Sequence, residues 1–291
     1  MSTITILIHC KDQQGIIAAI TNFIHQNHGN IVYIDQYVDR THDAFFMRLE
    51  SVFEKNSFSI DSFNTDFNNT LGIQFNMSVQ LYPTDIKPKM AVFVSKYDHC
   101  LYDLLGRYQS GELFVEIPFI ISNHKDLAPI AAKFDIPFFH IPVTKETKAH
   151  AEKEQLKLLQ KHEIDFIVLA RYMQIVSPLL IKEYTHKIIN IHHSFLPAFP
   201  GAKPYHSAYE RGVKIIGATS HYVTEELDAG PIIEQDIARV SHTHRIDDLI
   251  LKGRDLEKIV FSRAVKLHTE RKVMVYNNKT IIFSTFIEFV F

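Results

Sequence analysis

Three side chains in this sequence could share one reaction. Asn190 and His192 stand two residues apart at the end of the apolar run Ile188, Ile189, Ile191, and Asp228 lies just before Gly230-Pro231. On a strand, a spacing of two puts both side chains on one face. An amide can donate N–H bonds to a developing oxyanion, a role worth roughly 3–4 kcal/mol in favourable cases. An imidazole titrates near neutrality and moves protons. A carboxylate can orient water and stabilise a charged imidazole. Taken singly, each has an ordinary reading as a strand-end cap or turn residue. What joins them is their place at strand exits, where α/β proteins bind ligands.

The elements that must position this set follow from periodicity. From Met90 strand and helix alternate: Met90–Val94, Leu101–Tyr108, Leu113–Ile121, Leu127–Phe134, Phe138–Ile141, Thr147–Lys161, Phe166–Ala170, Pro178–Tyr184, the run at Ile188, Tyr205–Arg211 and Ile215–Val223. Pro197, Pro200 and Gly201 end regular structure after the site strand. Such alternation predicts an α/β fold with a Rossmann-like, doubly wound parallel sheet. A helix over Ile246–Arg271 and a hairpin over Lys272–Phe283 complete it. Ahead of these lie Ile4–His9, the turn Lys11 to Gly15, a helix over Ile16–His28, strands Asn30–Val38 and Ala44–Phe53, a helix over Ile60–Leu71 and a strand over Asn76–Tyr82. The order βαββαβ predicts a ferredoxin-like sheet with helices on one face. The proline-bearing stretch 84–89 reads as a linker between domains 1–83 and 90–283, and 284–291 is an unusually apolar tail.

Composition narrows the class. A chain of 291 residues has room for two domains with their own cores. A net charge of −2 gives no electrostatic footprint for nucleic acid. Two cysteines make no disulfide framework, which suits a reducing cytoplasm. The start M-S-T-I-T-I-L-I-H-C does not read as a signal peptide, and no apolar run reaches the roughly 20 residues of a membrane span.

Other chemistries fit less well. Ser194 lacks the G-x-S-x-G elbow of a serine hydrolase. His186, His192, His193, His206 and His221 show no i, i+4 ligand pair, and neighbours such as His192 and His193 would point to opposite faces of a strand. His193 then reads as structural, packed against the next loop. No glycine-rich dinucleotide fingerprint is present. The expectation is therefore no metal and no bound cofactor.

The phrase N-I-H-x-S-x-L-P, followed by D-x-G-P-I-I, resembles the catalytic word of the glycinamide ribonucleotide formyltransferases. The longer phrase I-N-I-H-H-S-F-L-P-A-F-P-G-A-K-P-Y-H-S-A-Y-E-R-G-V-K-I-I-G-A-T-S-H-Y-V is similar to the formyltetrahydrofolate deformylase family, over Thr3 to about Ile282. His193 stands where the transferases usually carry proline. The resemblance implies hydrolysis of 10-formyltetrahydrofolate, as a substrate, to formate and tetrahydrofolate, with formate supplied to purine synthesis. It implies catalytic Asn190, His192 and Asp228. It also implies a pterin held mainly by main-chain groups of Gln174, Ile175 and Val176, with Met173, His221 and Thr224 beside it. The transferases' glycine-rich phosphate turn is replaced here by Ser95-Lys96-Tyr97-Asp98-His99-Cys100-Leu101, which would block a phosphate pocket. The turn D-Q-Q-G-I resembles an ACT domain, a module that usually pairs with a copy of itself. That implies a homo-oligomer with an amino-acid effector, glycine or methionine, at the subunit junction near Asp12, Gly15 and Asn30. A formyltransferase acting on an unphosphorylated amine, or a non-catalytic folate and amino-acid sensor, stays open as an alternative.

Overall fold

The computed structural model describes residues 1–54, 58–198 and 204–283. Pro200, Gly201 and the tail 284–291 lie outside the described residues. The chain divides into two compact units.

The first unit contains β1 (Ser2–Lys11), α1 (Ile16–Gln26), β2 (Asn30–Asp39), β3 (Ala44–Phe53), α2 (Ile60–Phe67), α3 (Ile73–Phe75) and β4 (Ser78–Pro83). A π-helical turn, Asn68–Gly72, joins α2 to α3, so helical structure runs past the expected end at Leu71. The four strands form an antiparallel sheet in the order β2-β3-β1-β4, the ferredoxin-like arrangement expected. Alternate residues of β1 (Ile4, Ile6, Ile8) and β3 (Met47, Leu49, Phe53) face one way. They pack against Ile16, Ile20 and Ile24 of α1 and Phe63 and Phe67 of α2.

Residues 271–274 and 281–283 group with this first unit, which corrects a second domain drawn as 90–283. The side chains show why. Arg48 of β3 is buried, and its Nε donates to the Arg271 carbonyl at 3.0 Å while Nη2 meets Glu50 at 2.6 Å. The Arg271 guanidinium in turn lies 4.1 Å from the Tyr82 ring centre.

The second unit contains β5 (Met90–Val94), α4 (His99–Gln109), β6 (Ile120–Ser122), α5 (Ala128–Lys133), β7 (Phe138–His140), α6 (Lys148–Lys161), β8 (Phe166–Ala170), α7 (Pro178–Glu183), β9 (Ile188–His192), α8 (Pro204–Arg211), β10 (Ile215–Tyr222), β11 (Ile232–Arg239) and α9 (Ile246–Thr269). β12 (Val273–Tyr276) and β13 (Lys279–Ile282) form the expected hairpin. The sheet order is β11-β10-β9-β8-β5-β6-β7. β5, β8 and β9 are wholly buried apart from Asn190, as central strands covered on both faces must be.

Two expectations change. β5 to β9 run parallel, but β10 is antiparallel to β9 and pairs antiparallel with β11, which was not foreseen as a strand. The loop between β10 and β11 is far too short for a crossover helix, so only an antiparallel return is available. The apolar stretch 113–121 also yields only the short β6, with an isolated bridge between Lys89 and Glu116 before it.

Candidate active site

β9 and β10 pair so that Asn190 lies opposite His221 and His192 opposite Thr219. Asn190 Nδ2 is 3.2 Å from His221 Nε2, and His221 Nδ1 is 3.0 Å from the Tyr222 carbonyl oxygen. A carbonyl can only accept, so His221 carries its hydrogen on Nδ1 and accepts at Nε2 from the amide. One amide hydrogen of Asn190 is thereby fixed, and the amide plane with it.

Asp228 arrives from the loop after β10, in the left-handed region at φ 55°. Gly230 lets that loop fold back: a Cβ there would lie 1.8 Å from the Tyr222 oxygen. The Tyr222 N–H instead bonds the Pro231 carbonyl at 2.9 Å. Asp228 Oδ1 ends 3.3 Å from His192 Nδ1 and 3.7 Å from His221 Nε2. The first distance is a long hydrogen bond and the second lies beyond hydrogen-bond range. The nearer imidazole, His192, holds the Asp228 carboxyl well below the usual carboxylate range. Asp228 is therefore ionised at working pH. His192 is buried, and its Nε2 has no hydrogen-bond partner among the described residues. The three expected residues thus converge.

They line a cavity of about 300 Å³. All six residues expected around the pterin (Met173, Gln174, Ile175, Val176, His221 and Thr224) line it too. Met173 and Ile175 stand open, while the Met173 N–H donates to Ser95 Oγ at 2.9 Å. His221 does more than line the wall, because it orients Asn190.

The proposed effector residues fall differently. Asp12 lies beside the Ala44 end of the first unit's sheet, where its N–H bonds the Asp43 carbonyl at 2.7 Å. Gly15 caps α1 at φ 89°. Asn30 pairs with Val52, at the far end of β3. Eight residues of strand separate those ends, roughly 26 Å. Within one chain, Asn30 and the turn Asp12 to Gly15 do not form one site.

A further group of side chains surrounds the His192 imidazole. His192 and His193 do not point apart, because the strand ends at His192. Their rings lie nearly parallel, 26° apart with centres 5.3 Å apart, and both line the cavity. His193 Nδ1 meets Arg171 Nη1 at 2.5 Å. Arg171 follows β8 in the left-handed region at φ 61°, with its guanidinium 4.9 Å from the Tyr97 ring centre. Its Nε is 3.3 Å from Glu257 Oε2, close enough for charge pairing but not aligned as a hydrogen bond. Glu257 Oε2 also meets His99 Nε2 at 2.8 Å, and its Oε1 accepts from the Tyr205 hydroxyl at 2.8 Å. Burial raises the Glu257 carboxyl, but His99 and the Arg171 charge outweigh it and leave it lowered. The turn after β5 is thus tied down by Tyr97 and His99.

Among the described residues, the one group of ligand-type side chains close enough for a metal is His99, Cys100 and Glu257. Glu257 there already serves Arg171, His99 and Tyr205.

Comparison with known proteins agrees with this geometry. The profile of the family described as formyl transferase matches residues 88–265, and that of the ACT domain matches residues 4–62. A formyltetrahydrofolate deformylase of Synechocystis sp. is 50% identical over 288 residues, covering 97% of this chain and 99% of that protein. The crystal structure of a formyltetrahydrofolate deformylase from Pseudomonas syringae superposes with a TM-score of 0.93 at 45% identity, covering 98% of this chain and 95% of that one. Glycinamide ribonucleotide transformylase 1 from Symbiobacterium toebii matches less of the chain, with a TM-score of 0.65 at 26% identity over 70% of this chain and 98% of that one. With a relative half identical along nearly its whole length, the chain belongs to the formyltetrahydrofolate deformylase family.

Proposed function

We propose that this protein hydrolyses 10-formyltetrahydrofolate to formate and tetrahydrofolate. The observation that carries the reading is the meeting of Asn190, His192 and Asp228 in one cavity, beside the main chain of 173–176. A pterin edge presents donors and acceptors, and exposed main-chain groups can match them. In the reaction, water attacks the N10-formyl carbon and the carbonyl electrons move to oxygen. The oxyanion is held by the second amide hydrogen of Asn190 and by protonated His192. Asp228, kept ionised, positions the attacking water, supports the His192 imidazolium and helps relay the water's proton towards N10. A proton then passes to N10, the C–N10 bond breaks, and formate and tetrahydrofolate leave. The formate can feed purine synthesis. Formate released with no amine present tests the reading, and folate binding without turnover would contradict it.

The acceptor in this scheme is water. Tyr97, in the turn after β5, and His99, the first residue of α4, are committed to Arg171 and Glu257, which supports a site without room for a ribonucleotide phosphate. Among the described residues, no helix is long and apolar enough to cross a membrane; work in the cytoplasm, without metal or bound cofactor, forms part of the proposal.

The first unit's role is regulatory in this reading. β2 is an edge strand that exposes Val32, Ile34 and Tyr37, a surface suited to pairing with a second copy. An effector such as glycine or methionine would then bind between copies, one supplying Asp12 and Gly15 and the other Asn30. Light scattering and formate release with each amino acid test this; a monomer that ignores both would contradict it.

A further inference from the structure

The cluster linking Tyr97, Arg171, His193 and Glu257 has no step in the hydrolytic scheme, yet it ends on the ring stacked against His192. Two stacked imidazoles compete for a proton, because charging one raises the cost of charging the other. A guanidinium has donors only. Its contact therefore makes His193 Nδ1 an acceptor and leaves the hydrogen of the neutral ring on Nε2. A second proton on His193 would have to break that contact and set two cations side by side.

Arg171 is held where it is. Its backbone stands in the left-handed region, which a non-glycine residue adopts at a cost. Its guanidinium lies over Tyr97 and beside Glu257, and Glu257 is in turn fixed by His99 and Tyr205. The room for Tyr205 comes from Gly253, one turn before Glu257 on α9; a Cβ there would lie 2.1 Å from the phenol oxygen. The remaining titratable groups sit on either side: the Tyr205 ring 5.8 Å from His193, Asp228 and His221 at His192, and Cys100 beside Glu257.

We propose that Arg171, anchored by Glu257 and Tyr97, keeps His193 neutral and so reserves the proton of the two stacked rings for His192. Arg171 and Glu257 are then positioning residues for the hydrolysis, and the proposal rests on the hydrolytic reading of the site. Without Arg171, the buried Glu257 carboxylate loses its counter-charge and draws a proton onto His193 at the expense of His192.

The test is the pH dependence of kcat for 10-formyltetrahydrofolate in Arg171→Gln, alone and combined with His193→Asn. Asparagine at 193 can accept a hydrogen bond but cannot take the proton. With His193 present, Arg171→Gln should move the alkaline limb, where His192 loses its proton, to lower pH by about one unit or more. With His193→Asn, the same substitution should leave that limb in place. A limb that stays put in the single variant, or moves equally in both backgrounds, overturns the proposal. Should Arg171→Gln fail to fold, nitrogen NMR of His193 in the unaltered protein decides. Nδ1 should stay unprotonated from about pH 5 to 8, and a proton on it there overturns the proposal. An unaltered protein that releases no formate would instead fail the hydrolytic reading, whereas an active one with an unmoved limb fails only the role of Arg171.

Discussion

The imidazole of His192 holds the Asp228 carboxyl well below the usual carboxylate range, and the proposed reaction draws on that charge. Asp228→Asn keeps the size and removes the charge. Hydrolysis should fall by at least about a hundredfold, with folate affinity largely kept; near-normal turnover would remove Asp228 from the mechanism. The same charge bears on stability. A carboxyl depressed in the folded state stabilises above its unfolded value, near about 3.9, and that contribution is lost as pH falls through the lower folded value. Urea unfolding of the protein and of Asp228→Asn should therefore show a gap that is constant at neutral pH and closes below about pH 4. At this scale the sequence was informative where residues sit in one contiguous word, as Asn190 and His192 do. It was silent about the joining of Arg171, Tyr205 and Glu257, which come from three separate segments and follow no local period.

α9 is the element that couples packing to the site. Gly253 accepts the Tyr205 ring, and Glu257 receives its hydroxyl. Gly253→Ala would gain helix propensity, worth about 1 kcal/mol. It would also push Tyr205 off Glu257, and overpacking typically costs about 1–3 kcal/mol. We expect a net loss of stability, read as a lower urea midpoint; a rise would show that Tyr205 moves aside freely. Periodicity found α9 and nearly every strand, because each buries a regular apolar face. It could not give strand direction. β11 reads I-I-E-Q-D-I-A-R, an edge strand in which only Ile233 is buried, so its apolar signal is weak and its antiparallel pairing with β10 went unseen. His193 was misread for a related reason: opposite faces hold only while the strand continues, and β9 stops at His192.

For the molecule as a whole, the two-unit division was legible from the βαββαβ order and the proline-bearing linker. The grouping of residues 271–274 with the first unit was not, since it depends on the buried Arg48 reaching a carbonyl 223 positions away. The proposed preference for water over an amine acceptor also belongs to this scale. Glycinamide ribonucleotide should neither be formylated nor compete with the folate, as Tyr97 and His99 are held against Arg171 and Glu257. Formyl transfer to it would show that the turn after β5 opens. The most direct measurement is hydrolysis of 10-formyltetrahydrofolate in oxygen-18 water with no amine added. We expect formate carrying one labelled oxygen, released in equal amount with tetrahydrofolate. Tetrahydrofolate formed only when an amine is supplied, with no labelled formate, would contradict water as the acceptor.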